Sequence, residues 1–522
     1  MYRSRHGKNN KLSGKYILPA LFLALMCLAG CAHGVPDAPQ PSFNIPATNQ
    51  PELPDFIPDD ASADDYVLSE AAFSGDLSAG STITVSGTLE NRTGEIRTFC
   101  VELERPLIMT RNEGSDTLYI PVEAGGQAEF SFALGLSEGG SGLCKVMLLS
   151  ENRAVLSETP LRLSVSGRGY YTGDAHTHST LSDGNDSYRS NFLSVYNKGH
   201  AWIYMTDHNF DVSRNSFAKT GARKLEGFLP LVGSEITTYR GHMLEFNTKY
   251  RHPAGYTGTM WEIMAAIRPD AAGWQEIIDT VTGEDGLCFI AHPFYTNNDQ
   301  WTWPGFGHDP EKVNCYTGFT GIEVYNALSR KRDDDRQFTD DAFEFWDRYN
   351  LKGEQHYVGI CDTDGHDKDT VGTAANALLL DALEEDNIIC TLRNGTFYGT
   401  NGPELRFSIG GAGCGQTYKL TGNGKADLKI VAADQQSPIT KVVLYRYKIE
   451  DNVDNAYRSG SVTVLYDDPD GSKGLRLFEH SEQISVSDGE FYRVEVHSVK
   501  SLFGDESLEG GFAFSNPVWI EK

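Results

Sequence analysis

Basic side chains are in short supply. The 522-residue chain carries 45 Lys and Arg against 72 Asp and Glu, a formal charge of −27. Long nucleic acid is gripped through its phosphates by a basic footprint, so this balance excludes that partner class. It leaves room for a small anionic substrate held by metal ions. Paired cysteine motifs are missing too: the nine cysteines include no Cys-x-x-Cys spacing, which argues against a zinc ribbon. Cys100 and Cys144 fall in one region and could bridge. Long apolar runs are scarce; "YILPALFLALMCLAG", residues 16–30, is too short and too abruptly ended for a comfortable membrane span.

Arg3, Arg5, Lys8, Lys11 and Lys15 precede that run, which stops at "LAGC", residues 28–31. This resembles the bacterial lipobox. The resemblance implies that 1–31 is a lipoprotein signal peptide ending in a lipidated Cys31, with the mature chain exported and anchored to a bacterial cell membrane or outer membrane. Residues 32–65 are rich in Pro, Asp, Ala and Asn and show almost no apolar periodicity, the composition of a disordered or extended tether.

Beyond the tether the pattern changes twice. Over 66–168, segments such as "STITVSGTLEN" and "AEFSFALGL" alternate polar and apolar residues between Gly and Asn turns. They predict a β-sandwich of immunoglobulin-like size without a catalytic constellation. Over 169–403, apolar strands such as "AWIYMTDHN" and "GLCFIAHP" alternate with amphipathic helices. Trp274, Ile277, Ile278 and Val281 mark one helix; Phe338, Ala342, Phe345, Trp346 and Tyr349 mark another. That alternation predicts an α/β domain, a parallel β/α barrel or an open sheet. Over 404–522 strand patterns return, predicting a second β-sandwich with a hairpin-type turn at "DPDG", residues 468–471.

What the middle region holds is histidine and carboxylate at strand ends. His176 and His178 follow the first apolar run, and His-x-His puts both rings on one side of an extended chain. Asp207 and His208 follow the next, and Glu235 follows "FLPLVGS". His242 and Glu245 lie in "GHMLEF", His292 precedes Pro293, Glu323 and Asn326 flank "GIEVYN", and Asp364 and His366 end "HYVGICDTDGH". In a β/α barrel the carboxyl ends of all strands converge on one mouth. Burying so many unpaired ionisable groups would cost several kcal/mol each; metal ions resolve the conflict by taking imidazoles and carboxylates as ligands. Asp207 suits a supporting role, orienting His208.

In order, His-x-His-Ser-x-x-Ser-Asp-Gly, Thr-Asp-His-Asn, Gly-x-Glu, Gly-His, His-Pro and Asp-x-His resemble the PHP (polymerase and histidinol phosphatase) superfamily over roughly residues 170–402. "FYGTNGP", residues 397–403, and "FSNPVWI" resemble its carbaryl-hydrolase-type branch, in which the barrel carries extra β domains. The resemblance implies a distorted seven-stranded β/α barrel, flanked here by the two sandwiches, with two or three divalent metals (Mn, Fe or Zn). Carried over by resemblance, His176, His178, Glu235 and Asp364 hold the first metal. Glu235 bridges to a second, also held by His242 and His292, while Asp183, His208 and His366 hold a third. An amidohydrolase barrel shares the opening His-x-His but wants a carboxylated lysine and a lone late aspartate, a poorer fit.

The activity expected is hydrolysis of a small phosphorylated or nucleotide-like mono- or diester by hydroxide shared between metals, with Glu235 and Asp364 at the reacting centre. His308, in "WTWPGFGHDP", is the candidate general acid, and Arg330, Lys331 or Arg332, in "SRKRDDDR", could clamp a phosphate. A carbamate or carboxylic ester is the alternative substrate. A non-catalytic surface binding lipoprotein is the alternative class.

Overall fold

The computed structural model describes residues 53–111, 114–209, 225–238, 241–247, 271–293, 316–328, 337–420, 422, 424–500 and 510–522. The leader with Cys31, most of the tether, His308, Arg330, Lys331 and Arg332 lie outside the described residues. Among the described residues no helix is long and apolar enough to cross a membrane.

The first strands are β1 (Tyr66–Gly75), β2 (Thr82–Asn91), β3 (Arg97–Glu104), β4 (Met109–Arg111), β5 (Thr117–Val122), β6 (Gln127–Leu136), β7 (Gly139–Leu149) and β8 (Val155–Val165). They form two antiparallel layers, β1–β2–β6–β4 and β5–β3–β7–β8. Phe130, Phe132, Leu134 and Leu136 alternate along β6 and meet Val85, Val101 and Val146 in the core between the layers. Cys100 and Cys144 are free thiols, not a disulfide. Cys144 belongs to that core, whereas Cys100 packs with Met147 and Leu149 in a separate cluster; Cys144 and Leu149, an odd number of residues apart on β7, face opposite ways.

β7 also pairs in parallel with β9 (Gly169–Asp174), where a Cβ on Gly169 would collide with Gly139 O, so the two backbones touch through glycine. From β9 one sheet runs through β10 (Trp202–Met205), β11 (Leu229–Thr238), β12 (Gly241–Phe246), β13 (Leu287–Ala291), β14 (Gly321–Asn326) and β15 (Val358–Asp362). On the other side of β9 lie β16 (Ala375–Leu380) and β17 (Phe397–Thr400), both antiparallel to their neighbours. The helices are α1 (Tyr188–Asn197), α2 (Ala271–Gly283), α3 (Gln337–Leu351) and α4 (Glu385–Asn394). α2 buries Trp274, Ile278 and Val281, and α3 buries Ala342, Phe345, Trp346 and Tyr349, the apolar stripes their spacing predicts.

The middle region is therefore a mixed α/β sheet. Its strands are not all parallel: β12 runs against both β11 and β13. Among the described residues no backbone ladder joins β15 to β16, so the ladders do not draw a closed seven-stranded ring. Side chains stitch the gap instead. The Asn376 amide accepts from Cys361 N at 2.9 Å and donates to Cys361 O at 2.8 Å. Asn516 does the same for Gly359 N and O at 2.8 and 3.1 Å. The buried peptide groups on the edge of β15 away from β14 thereby stay satisfied by side chains.

The last part holds β18 (Glu404–Ile409), β19 (Ala412–Gly413), β20 (Thr417–Lys419), β21 (Lys425–Ala433), β22 (Ile439–Lys448), β23 (Ser461–Asp467), β24 (Leu477–Ser485), β25 (Glu490–Ser498), β26 (Gly511–Ser515) and β27 (Val518–Glu521). One sheet runs β19–β18–β21–β24; in the other, β23–β22–β25 meets β26 and β27, and β26 pairs with β17. Leu405, Phe407, Leu428, Ile430, Val442, Val494 and Val496 fill the space between the sheets. "DPDG" does turn tightly, Gly471 N reaching Asp468 O at 2.9 Å with Gly471 at φ +65°. It leads from β23 in one sheet to β24 in the other, so it is a crossover rather than a hairpin.

Candidate metal centre

Each strand delivers its side chain for a local reason. β9 ends at Asp174, whose carboxylate accepts from His176 N at 3.3 Å, Thr363 N at 3.2 Å and Gly372 N at 2.9 Å, and from the Thr363 hydroxyl. It thus ties the His-x-His segment to the segment after β15. Thr177 turns away to donate to Tyr204 O at 2.7 Å, leaving His176 and His178 on the other side of the extended chain. His208, just past β10, forms a bridge with Glu235 of β11. His242 stands at the amino end of β12, not at a carboxyl end, because β12 runs backwards. Glu245, three residues on, falls on the opposite face beside Cys288. A bulge in β14 between Glu323 and Tyr325 resets the alternation, so that Glu323 and Asn326 both face the centre. His292 and Asp364 hold left-handed backbone, at φ +26° and +51°, strain that clusters where function is built.

The ring nitrogens and carboxylate oxygens converge. His176 Nε2 and His178 Nε2 are 3.1 Å apart. Each lies 3.3 Å from Glu235 Oε2, and they lie 3.4 and 3.1 Å from Asp364 Oδ1. A tetrahedral ion with ligand atoms at about 2.0–2.1 Å spaces those atoms about 3.3–3.4 Å apart, close to the separations found. Glu235 divides its oxygens: Oε2 also sits 2.9 Å from His208 Nδ1, while Oε1 lies 2.6 Å from His242 Nδ1 and 3.0 Å from His292 Nε2. Asp183 Oδ2 lies 3.2 Å from His366 Nε2 and 3.4 Å from His208 Nε2. Three donor groups result: His176, His178, Glu235 and Asp364; His208, Glu235 and His242; and His178, Asp183, His208 and His366.

Asp207 is buried beside this centre, but it does not orient His208. It accepts from Ser179 N at 2.8 Å and Ser182 Oγ at 2.7 Å, and Ser182 Oγ lies 3.4 Å from His178 Nδ1. Two contributors were given no role by the sequence reading. Asp174 was visible only as an aspartate two residues before His176. Glu323 had no assigned role, and its three-residue spacing from Asn326 concealed that both face one way.

The electrostatics show what is missing. Burial disfavours the charged imidazole, yet at His208 it loses to Glu235 and Asp183, which raise the pKa to about 10, and at His366 to Asp183 and Asp364, which raise it to about 9. At His242 burial prevails over Glu235 and pushes it down to about 4. Burial, then the charges of Glu323 and Asp174, drives Asp362 well above the usual carboxylate range. Asp362 apart, Asp174, Asp183, Asp207, Glu235, Glu323 and Asp364 surround the centre. Among the described residues Arg493 is the only buried Arg or Lys, and it pairs elsewhere with Asp347 and Glu495. Protonated imidazoles are then the buried cations the chain itself offers here. Divalent ions fit better: they take the same nitrogens as ligands and offset the charge of the carboxylates.

No family model and no curated protein matches the chain. Solved structures do. A two-domain protein from Bacteroides vulgatus containing a presumed PHP-like metal-dependent phosphoesterase is 15% identical, with 67% of this chain and 96% of that one covered at a TM-score of 0.32. A presumed metal-dependent phosphoesterase from Bifidobacterium adolescentis is 16% identical, covering 42% and 95% at 0.29. PsfC from Pseudomonas syringae is 15% identical, covering 43% and 86% at 0.28.

Proposed function

We propose that the chain is a metal-dependent hydrolase of small phosphoesters, of the PHP type, working at the cell envelope on the end of a lipidated Cys31. The observation that carries the chemistry is the convergence of three donor groups around Glu235, with no buried Lys or Arg beside them among the described residues. His176, His178, Glu235 and Asp364 would hold one ion. His242 and His292, with the far oxygen of Glu235, would hold a second, and Asp183, His208 and His366 a third. Bound there, divalent ions lower the pKa of water toward neutrality and offset negative charge.

The chain's own part is to seat and aim. The His176 and His178 side chains are fully buried, whereas Asp183 is 31% exposed and His366 25%, so the floor is His-x-His and the substrate enters past the Asp183–His366 pair. A third donor group at that entrance favours a phosphoester. A phosphoryl group spreads charge over several oxygens, whereas a carboxylic or carbamic ester has one carbonyl oxygen to polarise. Glu235 spans two donor groups and so fixes their spacing.

The test loads purified protein with Mn²⁺ or Zn²⁺ and compares p-nitrophenyl phosphate and bis(p-nitrophenyl) phosphate with p-nitrophenyl acetate and an aryl carbamate. Turnover of a phosphate substrate, lost on chelation, is expected. Preference for acetate or carbamate would transfer the site to ester chemistry. Metal-replete protein inert on every substrate would make the chain a surface binding protein instead.

A further inference from the structure

We propose that Glu323 is a positioning residue that selects the tautomer of His176 and seats His292. The inference rests on the metal reading above. The Glu323 side chain is buried, and its two oxygens serve two different strands. Oε1 lies 2.9 Å from His176 Nδ1, and Oε2 accepts from the backbone N–H of His292 at 2.7 Å. Both partners must donate, because a carboxylate can only accept. A neutral His176 therefore carries its proton on Nδ1 and turns a bare Nε2 lone pair toward His178, Glu235 and Asp364. The other contact holds His292 in its left-handed conformation, with Nε2 toward Glu235. One carboxylate thus aims His176 of the first donor group and His292, whose Nε2 lies against the far oxygen of Glu235.

Gln and Ala separate this role from mere space filling. In Glu323→Gln the amide has one acceptor and one donor edge. If its oxygen keeps the His292 N–H, its NH₂ faces His176 Nδ1, the proton moves to Nε2, and the nitrogen needed for the metal is blocked. Glu323→Ala leaves a gap but imposes no tautomer. Metal-stripped wild type, Glu323→Gln and Glu323→Ala are titrated with Co²⁺, read by visible absorption and bound-metal content, with circular dichroism to follow the fold. Expected is Co²⁺ binding 10–100-fold weaker in Gln than in wild type, one fewer ion retained per chain, and a smaller loss in Ala. Gln binding as wild type does, or Ala losing more than Gln, overturns the inference. So does a Gln protein that fails to fold, since an isosteric neutral swap should disturb only the proton. Wild type that takes up no Co²⁺ ends the metal reading itself, a different failure.

Discussion

Two buried polar clusters in this molecule are built on opposite principles. In the C-terminal part the Arg493 guanidinium meets Asp347 through Nε–Oδ1 at 2.9 Å and Nη2–Oδ2 at 2.8 Å, contacts Glu495, and lies 3.9 Å above the Tyr445 ring. Acid and base are both supplied by the chain, and the bidentate fork satisfies both partners. Around Glu235 the acids and imidazoles are as deeply buried, but among the described residues no buried Arg or Lys accompanies them. Burial of charge is costly in either place. The first cluster pairs its charges within the polypeptide, whereas the second gathers donor atoms that could hold cations from solution. Buried charge alone is no pointer to function; uncompensated charge with converging lone pairs is.

Breaking each cluster should break different things. Glu235→Gln removes the carboxylate common to two donor groups, so hydrolytic activity should fall by more than about 1,000-fold, with metal content reduced. Chelation should lower the melting temperature of the wild type, because ions bind only the folded state, and should leave the already metal-poor variant nearly unmoved. Arg493→Ala should do the reverse. It strands two buried carboxylates and should cost about 3–5 kcal/mol in urea unfolding, with metal content per folded chain unchanged. A Glu235 variant with full metal content, or an Arg493 variant that loses metal, would erase the distinction.

Acid and alkali should separate the same two regions in metal-stripped protein. Burial opposes the charge on Glu495, but Arg493 outweighs it and holds the pKa at about 2, below the unfolded value of 4.5. A depressed carboxylate contributes stability above its unfolded pKa and loses it as pH falls, here between 4.5 and about 2, on the order of 3 kcal/mol in all. His208 and His366 are raised to about 10 and about 9 from 6.5, so their contribution is complete below 6.5 and disappears as pH rises through those values. Urea unfolding with a chelator present should therefore weaken at the acid end through the tail and at the alkaline end through the centre. Added Mn²⁺ should abolish the alkaline loss, because ions replace the protons. An alkaline loss indifferent to metal would place its cause elsewhere.

The histidines could be read from the sequence because their type and position are local facts: imidazole at the end of an apolar strand is legible without knowing the neighbours. What could not be read depends on pairing between distant strands. His242 reaches the centre because β12 is reversed, which the pattern of "GHMLEF" does not reveal. Period-two alternation would put Glu323 and Asn326 on opposite faces, and only the bulge brings them together. Asn376 and Asn516 look like ordinary polar residues in strand ends, yet they take the place of a missing ladder at β15. Strand–helix alternation, which suits a parallel barrel or an open sheet alike, records the order of elements but not their directions.

The smallest effect expected is at Asp207, and it tests how far the centre's requirements extend from its donor atoms. Asp207 touches His178 through Ser182 Oγ, which donates to Asp207 Oδ1 at 2.7 Å and lies 3.4 Å from His178 Nδ1. Asp207→Asn exchanges an acceptor for a donor edge and should free the Ser182 hydroxyl, loosening the His178 ring. Support of this kind is worth 10–100-fold in metal affinity or activity. Ser182→Ala should cost a similar factor, and the double variant little more than either alone, because both interrupt one path. Fully additive losses would mean that Asp207 acts through the Ser179 N–H and the turn it anchors, not through His178. A stability loss at Asp207 matching that of Arg493→Ala, with metal binding intact, would make it a structural acid of the C-terminal kind.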